Sequence, residues 1–460
     1  MKKQLLASVV AGLGVVGSAH AVHVNPDGLG QVLLYPYYTV QDGYDTYVHV
    51  VNTTDSAKAV KVRFLEGKNS QEVLDFNLYL SPKDEWTGVI TRTATGAQIS
   101  SQDTSCIAPR QLTTPEAFRT TLFRNDSVNA AARTREGYLE IIEMGDLPST
   151  VAAAATHTSA GVPTNCATVR AFADTVTLLP ASGGLYGFNT LINVDAGLST
   201  TVDAVALDDF WFADLASHTA TGTTTPSLNN ASGEAHILNG NQVVNATFAS
   251  AAVDSVSAVL ARTNVINDYV VGLDFDAMTD WVITFPTKRF YVNPGVLSTS
   301  TDTVARAPFS QKWLTDKSQS CDTIGITYYN REEKTEVGEG DFSPLPETQE
   351  AALCNEVNTI SIVDNGGEGG LLGAAFTNAQ IELAAGFNAG WMDIGFISAA
   401  ADTGVTSLEG VNVAGLPVIG FALSSFTNGT LEVEGVNVMS NYGGSSVHKG
   451  VRSITLPTVD

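Results

Sequence analysis

Between residues 58 and 80 the side chains alternate in character with a period of two. In KAVKVRFLEG (58–67), Val60, Val62 and Phe64 fall on one side and Lys61 and Arg63 on the other. In VLDFNLYL (73–80), Leu74, Phe76, Leu78 and Leu80 alternate with Asp75, Asn77 and Tyr79. A helix would scatter these apolar residues around its circumference, whereas a pleated strand gathers them on one face. The segment is expected to form half-buried antiparallel strands, one face in a core and one in water.

The preceding stretch, GQVLLYPYYTVQDGYDTYVHVVNTT (30–54), places Asp42-Gly43 between two apolar runs, the signal of a two-residue type I′ hairpin. That register sets Tyr38 opposite Tyr47, Pro36 opposite His49, Tyr37 opposite Val48 and Tyr35 opposite Val50. The face carrying Tyr35, Tyr37, Val48 and Val50 is expected to be core. Pro36, Tyr38, Tyr47 and His49 are then the candidate interface, facing solvent, a ligand or another chain. Pro36 has no N–H to donate, so its strand is expected at a sheet edge or a bulge. An edge strand there offers a route to assembly by strand addition.

With EWTGVITRT, residues 30–93 hold about five strands with short connections, the mark of a sandwich. Further strands are expected in EGYLEIIEM, GLYGFNTLINV, INDYVVGLDF, DWVITFPTKRFYV, TIGITYYN, VNTISIV, GWMDIGFI and LPVIGFAL. Helices are expected in TTPEAFRTTLFRN (113–125), with Thr114 as cap and Pro115 in the first turn, and in SAAVDSVSAVLAR (250–262). Stretches 94–112, 148–166 and 217–235, rich in Ala, Thr, Ser and Gly, read as long loops. The fold expected is mainly β: antiparallel β-sandwich domains, Ig-like or jelly-roll-like, with long loops and few short helices. An N-terminal sandwich domain over 22–230 and a C-terminal β-rich domain over 231–460 follow a leader at 1–21.

That leader has Lys2 and Lys3 before an apolar run from Leu5 to Val16, and Ala19-His20-Ala21 supplies the small residues of a cleavage site. Elsewhere no apolar run approaches the roughly 20 residues of a membrane span. Loss of the leader leaves 48 acidic residues against 22 basic ones. Such a surface makes nucleic acid and anionic membrane poor partners. Cys106, Cys166, Cys321 and Cys354 are an even set in an exported chain, and their clustering favours Cys106–Cys166 and Cys321–Cys354 bridges. There is no C-x-x-C and no nearby histidine to suggest zinc.

Chemistry is harder to find. No G-x-S-x-G elbow is present, and His49 alone among the histidines sits in a firm strand. DAVALDDFWFAD (203–214) and GLDFDAMTDW (272–281) bring Asp203, Asp208, Asp209, Asp274, Asp276 and Asp280 close to aromatic residues. Paired carboxylates beside aromatics suit glycosidic acid–base work, and hard oxygen ligands suit calcium, although neither stretch follows the EF-hand pattern. These six aspartates are the candidate calcium ligands. DNGGEGGLLG (364–373) lacks the lysine of a phosphate-binding loop and reads as a turn.

The blocks GLGQVLLYPYYT, VKVRFLEGKNSQEVLDFNLYLSPKDEWTG and DWVITFPTKRFYV resemble those of an uncharacterised group of proteobacterial secreted proteins described as cell surface proteins. The resemblance implies export across the inner membrane of a Gram-negative bacterium and carries no catalytic motif. The function expected is that of a secreted, noncatalytic structural or adhesive protein, partnered by itself or by cell-surface components. Extracellular carbohydrate or ligand binding is the second expectation and a secreted hydrolase the third.

Overall fold

The computed structural model describes residues 20–123, 129–172, 177–212, 215–272, 276–292, 305–313, 319–335, 351–364, 366–367, 369–375, 378–397 and 402–458. The chain is mainly β, built from several antiparallel sheets with two large sheets packed face to face as in β-sandwich domains.

The Asp42-Gly43 turn forms as its sequence dictates: both residues have positive φ, 46° and 82°, and Tyr44 N–H donates to Gln41 O at 2.9 Å. The strands on either side nevertheless part company. Val32–Thr39 enters a seven-stranded sheet, where it lies between Glu136–Asp146 and Val205–Asp208. Tyr44–Asn52 enters a six-stranded sheet, between Leu185–Asn193 and Glu85–Thr93. The expected hairpin is thus an arch between two layers. At its base the Thr46 hydroxyl donates to Thr39 O at 2.7 Å and accepts from Thr39 N–H at 3.0 Å, standing in for the missing ladder.

Between these sheets lies a core of Leu33, Tyr35, Tyr38, Val48, Val50, Val60, Val62, Phe64, Trp86, Leu139 and Ile141, among others. The alternating face of Lys58–Glu66 faces it as expected. The opposite face does not meet water, which corrects the half-buried reading: Lys61 and Arg63 are buried. Residues 219–226 run across them. Lys61 Nζ donates to Ala220 O at 2.8 Å, Arg63 donates to Pro226 O at 2.8 Å and Thr223 O at 3.2 Å, and Asn77 donates to Thr219 O at 2.8 Å.

The later chain builds a five-stranded sheet in the order Asn378–Glu382, Val357–Val363, Met278–Thr284, Ile419–Val433, Val436–Val447. Its first pair is parallel and the rest antiparallel. A four-stranded sheet, Asn264–Val270, Ala389–Phe396, Asp322–Asn330, Ala352–Leu353, shares a core with it through Trp281, Ile283, Ile360, Val265, Met392 and Ile394. The other face of the five-stranded sheet packs Val282, Phe421 and Leu423 against Tyr37, Tyr44, Tyr138 and Leu191.

Three local expectations change. Residues 113–123 are not helical: Glu116–Ala117 adds to the edge of Gly96–Ser100, and Phe118 and Phe123 drop into the sandwich core. The long loop at 148–166 contains the helix Ser149–Ala155 and leads into a second, Cys166–Phe172. DWVITFPTKRFYV is divided between Met278–Thr284 and a helical turn at Arg289–Val292. The helix expected in 250–262 is present as Val253–Leu260.

Candidate functional site

The arch separates the four candidate interface residues. Tyr38 is fully buried, edge-on to Phe118 at 5.7 Å, with its hydroxyl donating to Thr134 O at 3.3 Å. It is a core residue, because the strand carrying it is interior and a bulge within that strand resets the side-chain alternation. In that bulge Pro36 and Tyr37 together stand opposite Tyr138, between the pairs Tyr35–Leu139 and Tyr38–Gly137, as the sequence allowed. The alternative of an edge is overturned: Pro36 is buried in the middle of the sheet, and its carbonyl accepts from the Thr284 hydroxyl at 2.6 Å.

Tyr47 and His49 lie on the outer face of the six-stranded sheet. His49 stacks on its cross-strand partner Phe188 with centroids 4.3 Å apart, and its Nδ1 is 3.2 Å from Glu85 Oε1. Tyr47 and Tyr186 are each 38% exposed on either side of that pair. Core-facing Tyr35 donates its hydroxyl to His49 O at 2.6 Å over Gly187, where a Cβ would sit 1.9 Å from the Tyr35 hydroxyl oxygen.

The carboxylates proposed for calcium do not converge. Among the described residues no group of three or more His, Cys, Asp or Glu could hold a metal ion, and Asp274 lies outside those residues. Asp280 is buried and accepts from Leu372 N–H at 2.8 Å, and burial pushes its carboxyl up to about 6. Asp203 is exposed on a strand, Asp208 and Asp209 flank His23 at the far end of the seven-stranded sheet, and Asp276 occupies a tight turn with φ 43°. Calcium therefore finds no assembled ligand set in the described geometry.

Charged residues are instead concentrated where the two halves meet, a feature that strand alternation alone does not reveal. Glu140 is fully buried and accepts two hydrogen bonds from Arg289 Nη2, both at 2.9 Å, while Arg63 Nη1 lies 3.5 Å away. Burial works against the Arg289 charge, but Glu140 outweighs it and the guanidinium pKa lies above its ordinary value. Lys288 lies 3.2 Å from Asp322 and donates to Ser320 O at 2.6 Å. Burial pushes the nearby Glu356 carboxyl up to about 8 against the pull of Lys288 and Arg289. At the other end Lys58 is enclosed by Glu143 at 2.7 Å, Asp146 at 3.0 Å and Ser182 at 2.7 Å. Lys58, Lys288 and Arg289 thus face carboxylates in the interior, while Asp322 Oδ2 and Glu356 Oε2 are buried without a hydrogen bond.

One cluster has the residue types of a nucleophile relay. Thr104 Oγ1 is 3.2 Å from His157 Nε2, while Ser81 Oγ at 2.8 Å and Asp84 Oδ2 at 3.6 Å lie on the Nδ1 side. The Thr104 hydroxyl gives its proton to Gly161 O at 2.9 Å and the Ser81 hydroxyl lies 3.1 Å from Asp84. Each hydroxyl therefore has an acceptor besides the imidazole, and the cluster links the loops that carry Ser81, Thr104 and His157. The adjacent Cys106–Cys166 bridge fixes the same region, and Cys321–Cys354 is the second bridge; both pairs are those expected from the sequence. Two disulfides suit an oxidising, extracytoplasmic compartment. Among the described residues no helix is long and apolar enough to cross a membrane.

One hairpin, Ile419–Val433/Val436–Val447, runs past the strand that supports it. Met278–Thr284 pairs with residues 419–425 only, so residues 426–433 continue beyond the sheet with 436–442 as their ladder partner. Glu434 and Gly435, both with positive φ, close the tip, and Val433 and Val436 beside them are exposed. No protein family, curated protein or solved structure matches this chain.

Proposed function

We propose that this chain is an exported protein of the Gram-negative cell surface that works by adhesion or self-assembly without catalysis. The observation that carries this reading is the arm formed by residues 426–442. Among the described residues, eight residues of one strand, on the order of 26 Å at the usual rise, extend past the supporting sheet and ladder only with residues 436–442. An incoming strand gains main-chain hydrogen bonds along the arm, and exposed Val433 and Val436 add apolar contact. The two disulfides and the acidic composition accord with service outside the cytoplasm.

The test compares mature wild-type protein with a variant in which residues 427–441 are replaced by Asn-Gly. Sedimentation velocity and negative-stain microscopy should show concentration-dependent oligomers or filaments for the wild type and monomers for the variant, with the melting temperature unchanged. A wild type that stays monomeric and does not attach to cells, or a variant that assembles equally well, would refute the proposal.

A further inference from the structure

On the outer face of the four-stranded sheet, Asp268, Trp391 and Tyr329 occupy one cross-strand row. The Trp391 and Tyr329 rings are stacked, with centroids 4.4 Å apart and planes 15° from parallel, and Trp391 is 40% exposed. Trp86, Trp211 and Trp281 are buried and Trp313 is half-buried, whereas Trp391 is exposed on a flat sheet face. The next row is Ile266, Asp393 and Thr327, and the one after it Asn264, Gly395 and Gly325. At both glycines only Ile397 and the Gly325 carbonyl would approach an added Cβ, at 3.4 Å or more, which leaves a shallow trough two rows from the rings, beyond Asp393, with exposed Ile397 as its wall.

From this arrangement we infer that the Trp391–Tyr329 face is a binding platform for an uncharged pyranose glycan. The inference rests on the extracellular adhesive role proposed above and gives it a ligand class. The face of a pyranose ring carries polarised C–H groups that pack on the electron-rich face of an aromatic ring, and its rim carries hydroxyls that need acceptors. The exposed Trp391 ring, braced on one face by Tyr329, meets the first need. Asp268 and Thr327 are exposed acceptors in the same two rows, and Asp393 is held in place by Asn264, whose amide donates to both its carboxylate oxygens at 2.9 and 2.8 Å. Tyr269, beneath the sheet, donates its hydroxyl to Tyr329 O at 3.2 Å and fixes the strand carrying the platform. Two carboxylates beside the rings repel phosphate, sulfate and uronate, so the glycan is neutral.

The experiment is affinity electrophoresis and intrinsic-fluorescence titration of full mature protein. The probes are soluble β-glucan, galactomannan, glycogen and chitohexaose, with polygalacturonate as the anionic control. Retention by at least one neutral glycan is expected, at least tenfold weaker for Trp391→Ala, weaker for Tyr329→Ala, largely kept by Trp391→Phe and unchanged for Tyr47→Ala on the other sandwich. No retention by any neutral probe, retention indifferent to Trp391→Ala, or preference for polygalacturonate would overturn the assignment. Self-association lost in Trp391→Ala without glycan binding would make the face a contact between copies and also overturn it. Because the replacement of 427–441 leaves Trp391, Tyr329, Asp268 and Asp393 in place, repeating the titrations on that variant separates failure here from failure of the assembly proposal.

Discussion

Replacing Glu140 by leucine should be among the most damaging single changes in this protein. The carboxylate is fully buried between Arg289, bound through two 2.9 Å hydrogen bonds, and Arg63 at 3.5 Å. Leucine leaves two cations facing one another without water. Breaking a buried pair by removing one partner costs about 3–5 kcal/mol, and here the upper end applies because both arginines lose a counter-charge. Arg63 keeps Glu72 at 2.7 Å and the Pro226 and Thr223 carbonyls, so most of the penalty belongs to Arg289. Arg289→Met alone should cost less, about 3 kcal/mol, since Glu140 then still faces Arg63. In the double variant Glu140→Leu/Arg289→Met the orphaned charge is gone, and the loss should fall short of the sum of the singles by about 2–3 kcal/mol. Equilibrium urea unfolding with disulfides intact, followed by near-UV circular dichroism, measures all four corners of the cycle. Additive losses, or a cost below about 1 kcal/mol for Glu140→Leu, would refute the view that the pair secures the junction.

Two further outcomes follow from the interior. Burial pushes Glu143 and Glu356 up to about 8, so the folded state retains protons that the unfolded chain has lost by neutral pH, and unfolding free energy should fall as pH rises towards 8. His448, pushed down to about 3 by burial, has the opposite slope but is spent once the unfolded chain passes about 6.5, so the decline is cleanest between about pH 6.5 and 8; Glu356→Gln should flatten it in urea titrations across that range. Tyr38→Ala should cost about 3–5 kcal/mol in thermal or urea unfolding and Tyr47→Ala within about 0.5, the reverse of which would return Tyr38 to the surface.

The period-two pattern of residues 58–80 identified strands and their core faces correctly, because alternation is a local property of the pleat. It could not say that Lys61 and Arg63 face a second covering layer, since beyond Asp75 and Glu72 on the adjacent strand their partners are backbone carbonyls more than a hundred residues away. The Asp42-Gly43 turn was legible for the same local reason, but the pairing across it was not: Tyr44–Asn52 finds Leu185–Asn193 and Glu85–Thr93 in place of its sequence neighbour. Residues 113–123 carry good helix-start chemistry that is overridden by burial of Phe118 and Phe123. The arm strand Val436–Val447 went unread because its Asn, Ser and Gly content mimics a loop. Trp391 and Tyr329 each fell in an expected strand, yet parity within a strand cannot reveal that two strands distant in sequence stack them side by side.

The segment across Lys61, Arg63 and Asn77 has a lesson about tolerance to change. Each acceptor it offers these three side chains, at Thr219, Ala220, Thr223 and Pro226, is a main-chain oxygen. The path and number of its residues are therefore fixed by the spacing of the groups beneath, and its own Thr219 and Thr223 hydroxyls, both donating to Thr225 O, with Gly222 at φ 77°, hold that path. Divergent copies of this protein should thus keep the length of this stretch, the opposite of an ordinary surface loop, where insertions and deletions are easily accepted.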